Sequence, residues 1–345
     1  MKINRKVLIE LNKVYSLAPL CIDGRNCFLA AAEKQDPCYL FSEDGEVLEK
    51  IWDGPGGVMT MEQVPGTDGC FLATFEFYSP NDGKNARIII AERGPEGWKT
   101  RTLADLPMVH RFGILQRNGV SYLLACTVKN DYETRDDWRQ PGAVYAAPLP
   151  EDLSPYSEAH QLRLYPVMAG LYRNHGFCKL PDTGEGECAL IGSDEGVFHL
   201  TPPSERGGAW TIRHLLDTPA SDAVLLDFDG DGQEELGIIT PFHGDALEVY
   251  HITEEGSYAL CYACPDPMEM LHATWPGIRK GRPVWFFGCR KGCMETRMLY
   301  YENGWKQELI DGHAGAANCL QLSENVLIAA NHTIGQVCMY RLEED

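Results

Sequence analysis

The sequence predicts an all-β chain, a seven-bladed β-propeller whose ring is closed by the N-terminal strand pairing into the last blade. Three observations predict it. Seven short apolar segments can be laid over one another: CFLAAAEK, CFLATFEF, YLLACTVK, CALIGSDE, GIITPFHG, VWFFGCRK and VLIAANHT, starting at Cys27, Cys70, Tyr122, Cys188, Gly237, Val284 and Val326. Their starts lie roughly 42 to 66 residues apart, near the period of propeller blades. Each is preceded by a turn-rich stretch suited to joining antiparallel strands, such as Asp23-Gly24, Asn118-Gly119 and Lys280-Gly281. No long amphipathic helix period interrupts them; the one helical turn expected falls near Leu153–His160.

Within each unit the inner strand comes first and the aligned apolar segment second. Most units continue with a third strand: Ala86–Ala91, Ala143–Ala147, Gly196–Leu200, Leu247–Ile252, Met298–Tyr301 and Val337–Leu342. A more polar fourth strand closes them, with a tryptophan after a small residue in three units (Trp98, Trp210, Trp305). The last unit runs out near Leu342 without a fourth strand, and Lys6–Leu11 precedes the first. That leftover strand fits the gap, so residues 1–345 are read as a single propeller domain.

Composition narrows the partners. The formal net charge is −20, which argues against nucleic acid and against an anionic membrane surface, since both need clustered Lys and Arg. A long polyanion is disfavoured too, although a local basic site can hold one carboxylate. There is no secretory signal pattern and no apolar run of membrane-span length. Thirteen cysteines, several inside apolar strands, read as reduced thiols of a cytoplasmic protein. Cys261 and Cys264 form a lone CxxC without the partner pair a zinc ribbon needs.

In a propeller the inner strand starts, and the second strand ends, around the same channel mouth. The seventh position of each aligned segment reads Glu33, Glu76, Val128, Asp194, His243, Arg290 and His332. About twelve to fifteen residues upstream of each segment's start, where the inner strands start, stand Tyr15, Val58, His110, His175, Asp222, His272 and His313. Six of the ten histidines fall in these two classes; His160, His199, His214 and His251 do not and are read as structural. Neutral imidazoles converging from rigid strands suit a divalent transition metal, Zn, Mn or Fe. The expected ligands are His175, His243 and His272, with His313 or His332 completing the set. His110, His332, Glu76 and Arg290, with Asp194 and Tyr15, are left to supply a base, an acid and an anion-binding guanidinium.

The hairpin around Gly232 carries a separate signal. Asp227, Asp229, Asp231 and Glu235 occupy positions 1, 3, 5 and 9 of a DxDxDGxxE run, an oxygen cage suited to Ca. Position 12 is Ile238 and no helices flank the loop, so it is no EF-hand. Because the loop joins a first to a second strand, it should lie on the face opposite the histidines, in a structural role.

The stretch LLDFDGDGQEELGIIT resembles the FG-GAP or VCBS type of propeller repeat, whose loops bind calcium. PFHGD, NHGF, LHAT and ANHTIGQ resemble pieces of the propeller portion of aldos-2-ulose dehydratase and its bacterial relatives. That resemblance implies a metal-dependent dehydration of keto-sugars such as 1,5-anhydrofructose. Oligogalacturonate lyases are a more distant parallel, similar in holding a divalent metal with propeller histidines for β-elimination. The dehydratase's additional cupin domains have no room here. The expected function is therefore a carbon–oxygen lyase acting on a small carbohydrate at the channel mouth. The alternatives are a non-catalytic propeller binding a protein or sugar partner, and a metal-dependent sugar isomerase or epimerase.

Overall fold

The computed structural model describes residues 1–134 and 136–344. After β1 (Lys2–Glu10) the chain builds one four-stranded antiparallel meander after another. Blade 1 is β2 (Val14–Ile22), β3 (Arg25–Ala32), β4 (Cys38–Ser42) and β5 (Val47–Trp52). Blade 2 is β6 (Met61–Gln63), β7 (Phe71–Phe75), β8 (Arg87–Gly94) and β9 (Gly97–Asp105). Blade 3 is β10 (Val109–Arg117), β11 (Val120–Lys129), β12 (Pro141–Pro148) and β13 (Tyr165–Leu171). Blade 4 is β14 (Gly176–Leu180), β15 (Cys188–Ser193), β16 (Gly196–Thr201) and β17 (Thr211–Leu216). Blade 5 is β18 (Asp222–Leu226), β19 (Glu235–Thr240), β20 (Ala246–Ile252) and β21 (Tyr258–Ala263). Blade 6 is β22 (Leu271–Arg279), β23 (Arg282–Cys289), β24 (Thr296–Tyr301) and β25 (Trp305–Asp311). Blade 7 is β26 (Asn318–Ser323), β27 (Val326–Asn331) and β28 (Gln336–Glu343), completed by β1. The expected closure is present: Lys2 pairs Glu343 and Glu10 pairs Gln336.

The second strands are buried on both faces, which is why they read as continuous apolar runs. Their side chains pack between neighbouring blades. One cluster joins Leu29 and Ala31 of blade 1 to Phe71 and Ile89 of blade 2, and another joins Phe286 of blade 6 to Tyr340 of blade 7. Gly237 shows how tight the fit is, since a Cβ there would meet the Trp285 ring at 2.7 Å. Among the described residues there is no helix. The helical turn expected near Leu153–His160 is instead a pair of turns closed by a Ser157–His160 bridge. None of the described residues forms a helix long and apolar enough to cross a membrane.

Three of the inner strands share one irregularity near their start. Pairing slips by one residue between Val14 and Ser16, between Val109 and Arg111, and between Leu271 and Ala273. The extra residues are Tyr15, His110 and His272. A bulge leaves one residue outside the ladder and re-aims its side chain.

Candidate functional site

The bulged residues Tyr15, His110 and His272 come together with His175, which immediately precedes β14. The Tyr15 hydroxyl lies 3.0 Å from His272 Nε2 and 3.2 Å from His110 Nε2, and the His110 and His175 ring centres are 4.5 Å apart. All four residues are buried. His243 joins them from the turn after β19, with φ of +48°, a left-handed conformation that costs a non-glycine residue about 1 kcal/mol. Phe242 stacks on its ring with centres 4.0 Å apart.

His175, His243 and His272 each offer a ring nitrogen, and the three nitrogens lie within 4.8 Å of one another. His175 Nε2 and His243 Nε2 are 3.3 Å apart. Two ligands on one tetrahedral ion with ~2.05 Å bonds are separated by about 3.3 Å, so the spacing fits a shared metal. The outer nitrogens are already committed. His175 Nδ1 lies 3.1 Å from Asp222 Oδ2 and 3.2 Å from the Ser221 carbonyl oxygen. His272 Nδ1 donates to the Ala317 carbonyl at 2.7 Å. Both rings therefore carry their proton on Nδ1 and turn the Nε2 lone pair inward, the arrangement that orients metal-bound histidines. Burial, then neighbouring imidazoles and the Arg111 and Arg290 guanidinium groups, push His243 and His272 well below the ordinary histidine range. These rings are neutral at physiological pH, as ligation requires.

A second group sits beside the first. Glu33 Oε2 is 2.6 Å from His332 Nε2, and Arg290 Nη2 is 2.9 Å from His332 Nδ1. Burial holds His332 below its ordinary range although Glu33 opposes the shift. Burial pushes Glu33 up, but its hydrogen bond to His332 and the nearby Lys34 and Arg290 leave it net lowered. His110 is pushed down by burial and by His175. Its Nδ1 makes no hydrogen bond of normal geometry, although the His175 backbone lies alongside.

Three expected site residues are placed elsewhere. His313 is exposed in the loop after β25, and only its backbone N–H is bonded, to Asp311. Its blade enters the channel four residues later, at Ala317, so His313 is not brought to the other ligands. Glu76 has a left-handed backbone like His243, but its carboxylate is held by Arg87. Asp194 is likewise engaged by Arg173. The sequence reading passed over Arg111, Ser221 and Phe242. Only Arg111 had a visible signal, a charge next to His110 at the start of an otherwise apolar strand.

At the other end of β18 and β19 lies the acidic loop. Carboxylate oxygens of Asp227, Asp229 and Asp231 lie within 4.8 Å of one another. Glu235 forms an overlapping group with Asp229 and His251, whose ligand atoms also lie within 4.8 Å of one another; it is buried, one oxygen accepts the Phe228 N–H at 2.7 Å, and the other lies 2.7 Å from His251 Nδ1. His251, read from sequence as merely structural, thus belongs to this loop. The loop opens on the face opposite the histidines, as expected.

No protein-family model matches the chain, and no curated protein matches it by sequence. Solved structures match by shape. A selenomethionine-substituted virginiamycin B lyase from Staphylococcus aureus superposes with a TM-score of 0.61 at 12% identity, over 99% of this chain and 100% of that one. A streptogramin B lyase superposes with a TM-score of 0.60 at 13% identity, over 99% of this chain and 98% of that one. At such identity the likeness is one of fold, the seven-bladed β-propeller.

Proposed function

We propose that this chain is a metal-dependent carbon–oxygen lyase, removing a β-hydroxyl or β-alkoxy group from a keto-sugar or related sugar derivative at the channel mouth. The observation that carries the reading is the convergence of His175, His243 and His272, two with their outer nitrogens engaged and all three presenting nitrogen inward. The motifs NHGF, PFHGD and LHAT, which resemble keto-sugar dehydratases, are the pieces that contribute those three histidines. Two solved structures of similar shape are lyases.

A bound divalent ion would polarise the carbonyl and so acidify the neighbouring C–H. His332, neutral through burial and with its Nε2 proton held by Glu33, would take that proton at Nδ1 once Arg290, which now donates to Nδ1, turns to the substrate. As the C–O bond breaks, its electron pair leaves with the oxygen. The Tyr15 hydroxyl, poised between His110 and His272, is placed to donate the proton this oxygen needs. On the opposite face, the Asp227–Asp229–Asp231 cage would take calcium as a structural ion.

Elemental analysis and activity assays test the assignment together. The purified protein is expected to hold one transition metal, and His243→Ala combined with His272→Ala is expected to lose both that metal and turnover. Full metal stoichiometry in the double variant would sink the proposal. Product NMR separates elimination, which yields an unsaturated or deoxy-keto product, from isomerisation, which conserves every oxygen.

A further inference from the structure

Arg111 is only 9% exposed, yet the described residues give it little to bond. One Nη1–H donates to the Met59 carbonyl at 3.0 Å, and the guanidinium carbon sits 5.5 Å from the Tyr15 ring centre. No other partner exists among the described residues, and no carboxylate pairs with it. A guanidinium carries five N–H donors, and burying its charge without a counter-ion costs several kcal/mol. Buried Arg279, by contrast, has two acceptors, Asn325 Oδ1 and the Leu342 carbonyl.

The surroundings sharpen the point. Arg111 and Arg290 act electrostatically on the same groups: Tyr15, His243 and His272. The two nearby carboxylates are already engaged, Asp222 by His175 and Glu33 by His332. Arg290 keeps a long 3.9 Å ion pair to Glu33 Oε2, but Arg111 has no carboxylate partner among the described residues, an uncompensated charge at the channel mouth of a chain of net charge −20.

We propose that Arg111, with Arg290 across the channel, forms a carboxylate-binding subsite beside the three histidines. The compound handled there is then a sugar acid bearing one carboxylate, not an uncharged keto-sugar. The planar fork of Arg111 matches the two oxygens of a carboxylate. The assignment rests on the lyase reading and narrows its substrate class.

The test uses the full chain loaded with metal, and titrates D-glucuronate, uncharged D-glucose and inorganic phosphate by calorimetry. D-glucuronate is expected to bind and D-glucose to bind at least tenfold more weakly. Arg111→Met is expected to weaken D-glucuronate by roughly 10- to 100-fold, the loss of charge-assisted hydrogen bonds, without changing metal content. Its Tm is expected to hold or rise, because an uncompensated buried charge has been removed. Arg290→Met provides an independent variant, expected to lose affinity in the same direction. No binding of D-glucuronate, equal affinity for the two sugars, unchanged affinity in Arg111→Met, or a lowered Tm with unchanged affinity overturns the subsite. Tighter binding of phosphate than of D-glucuronate overturns the carboxylate assignment. Metal binding without discrimination between the sugars defeats the subsite alone. Arg111-dependent D-glucuronate binding by a protein that holds no transition metal defeats the lyase reading alone.

Discussion

The neutral state of the channel histidines has a thermodynamic signature. His110, His243, His272 and His332 are all held below the ordinary histidine value of about 6.5, mainly by burial. Their folded pKa values lie below the unfolded ones, so the unfolded chain binds more protons as pH falls. The stability these neutral rings confer is complete above about pH 6.5 and is lost progressively below it. Metal-free protein should therefore show a urea midpoint that drops from pH 7.5 to pH 5, and His110→Phe should flatten that drop. An equal slope in the variant would show that burial of this ring does not govern the titration. His175, His243 and His272 were legible in the sequence because each stands at a fixed offset from a recognisable apolar segment. His313 falls outside the cluster because loop length is not part of the repeat, and its inner strand begins five residues later, at Asn318. Arg111 escaped because only one position per inner strand was assigned to the channel, whereas a bulge at His110 brings the next residue toward the same groups.

At the scale of strands, an inner strand is an edge whose backbone groups would otherwise go unpaired. Side chains from neighbouring blades close it. The Gln63 amide both accepts from the Cys21 N–H at 2.7 Å and donates to the Cys21 carbonyl at 2.8 Å. Gln321 does the same for Ile278, at 3.0 and 2.6 Å. At Ile114 the work is divided, Glu62 accepting from the N–H and Lys179 donating to the carbonyl. Burial pushes Glu62 up, and Lys179 and the Ile114 N–H pull against it. Gln321→Ala removes both bonds to Ile278 and is expected to destabilise the fold by about 1–3 kcal/mol, read as a lowered urea midpoint at constant m-value. A neutral substitution would mean that water replaces the amide in the channel. The strands themselves were legible as period and turn chemistry. These cross-blade clasps were not, because a glutamine in a strand looks the same whether it meets solvent or a neighbouring backbone.

For the whole molecule, charge and site pull in opposite directions. A surface of net charge −20 repels an anion, while Arg111 and Arg290 receive it at the mouth. Moderate salt screens the long-range repulsion more than the short contacts within a buried site. For a carboxylate-bearing substrate, kcat/KM should thus rise as ionic strength goes from about 0.01 to 0.1 M, opposite to the fall seen in electrostatically steered association. A monotonic fall would place net positive potential over the mouth. The ring itself was legible down to the role of the N-terminal strand, expected at Lys6–Leu11 and found at Lys2–Glu10, because a seven-fold repeat short of one strand at one end and long of one at the other has a single economical closure.

That closure has a further consequence. Glu33 belongs to the first blade and His332 to the last, 299 positions apart in the chain, and they meet only across the seam that β1 and β28 fasten. The three histidines proposed to hold a metal come from consecutive blades and need no seam. A ring that breathes open at this joint keeps its ion and parts its acid–base pair, so proton transfer, not metal retention, is the gauge of whether the circle is shut.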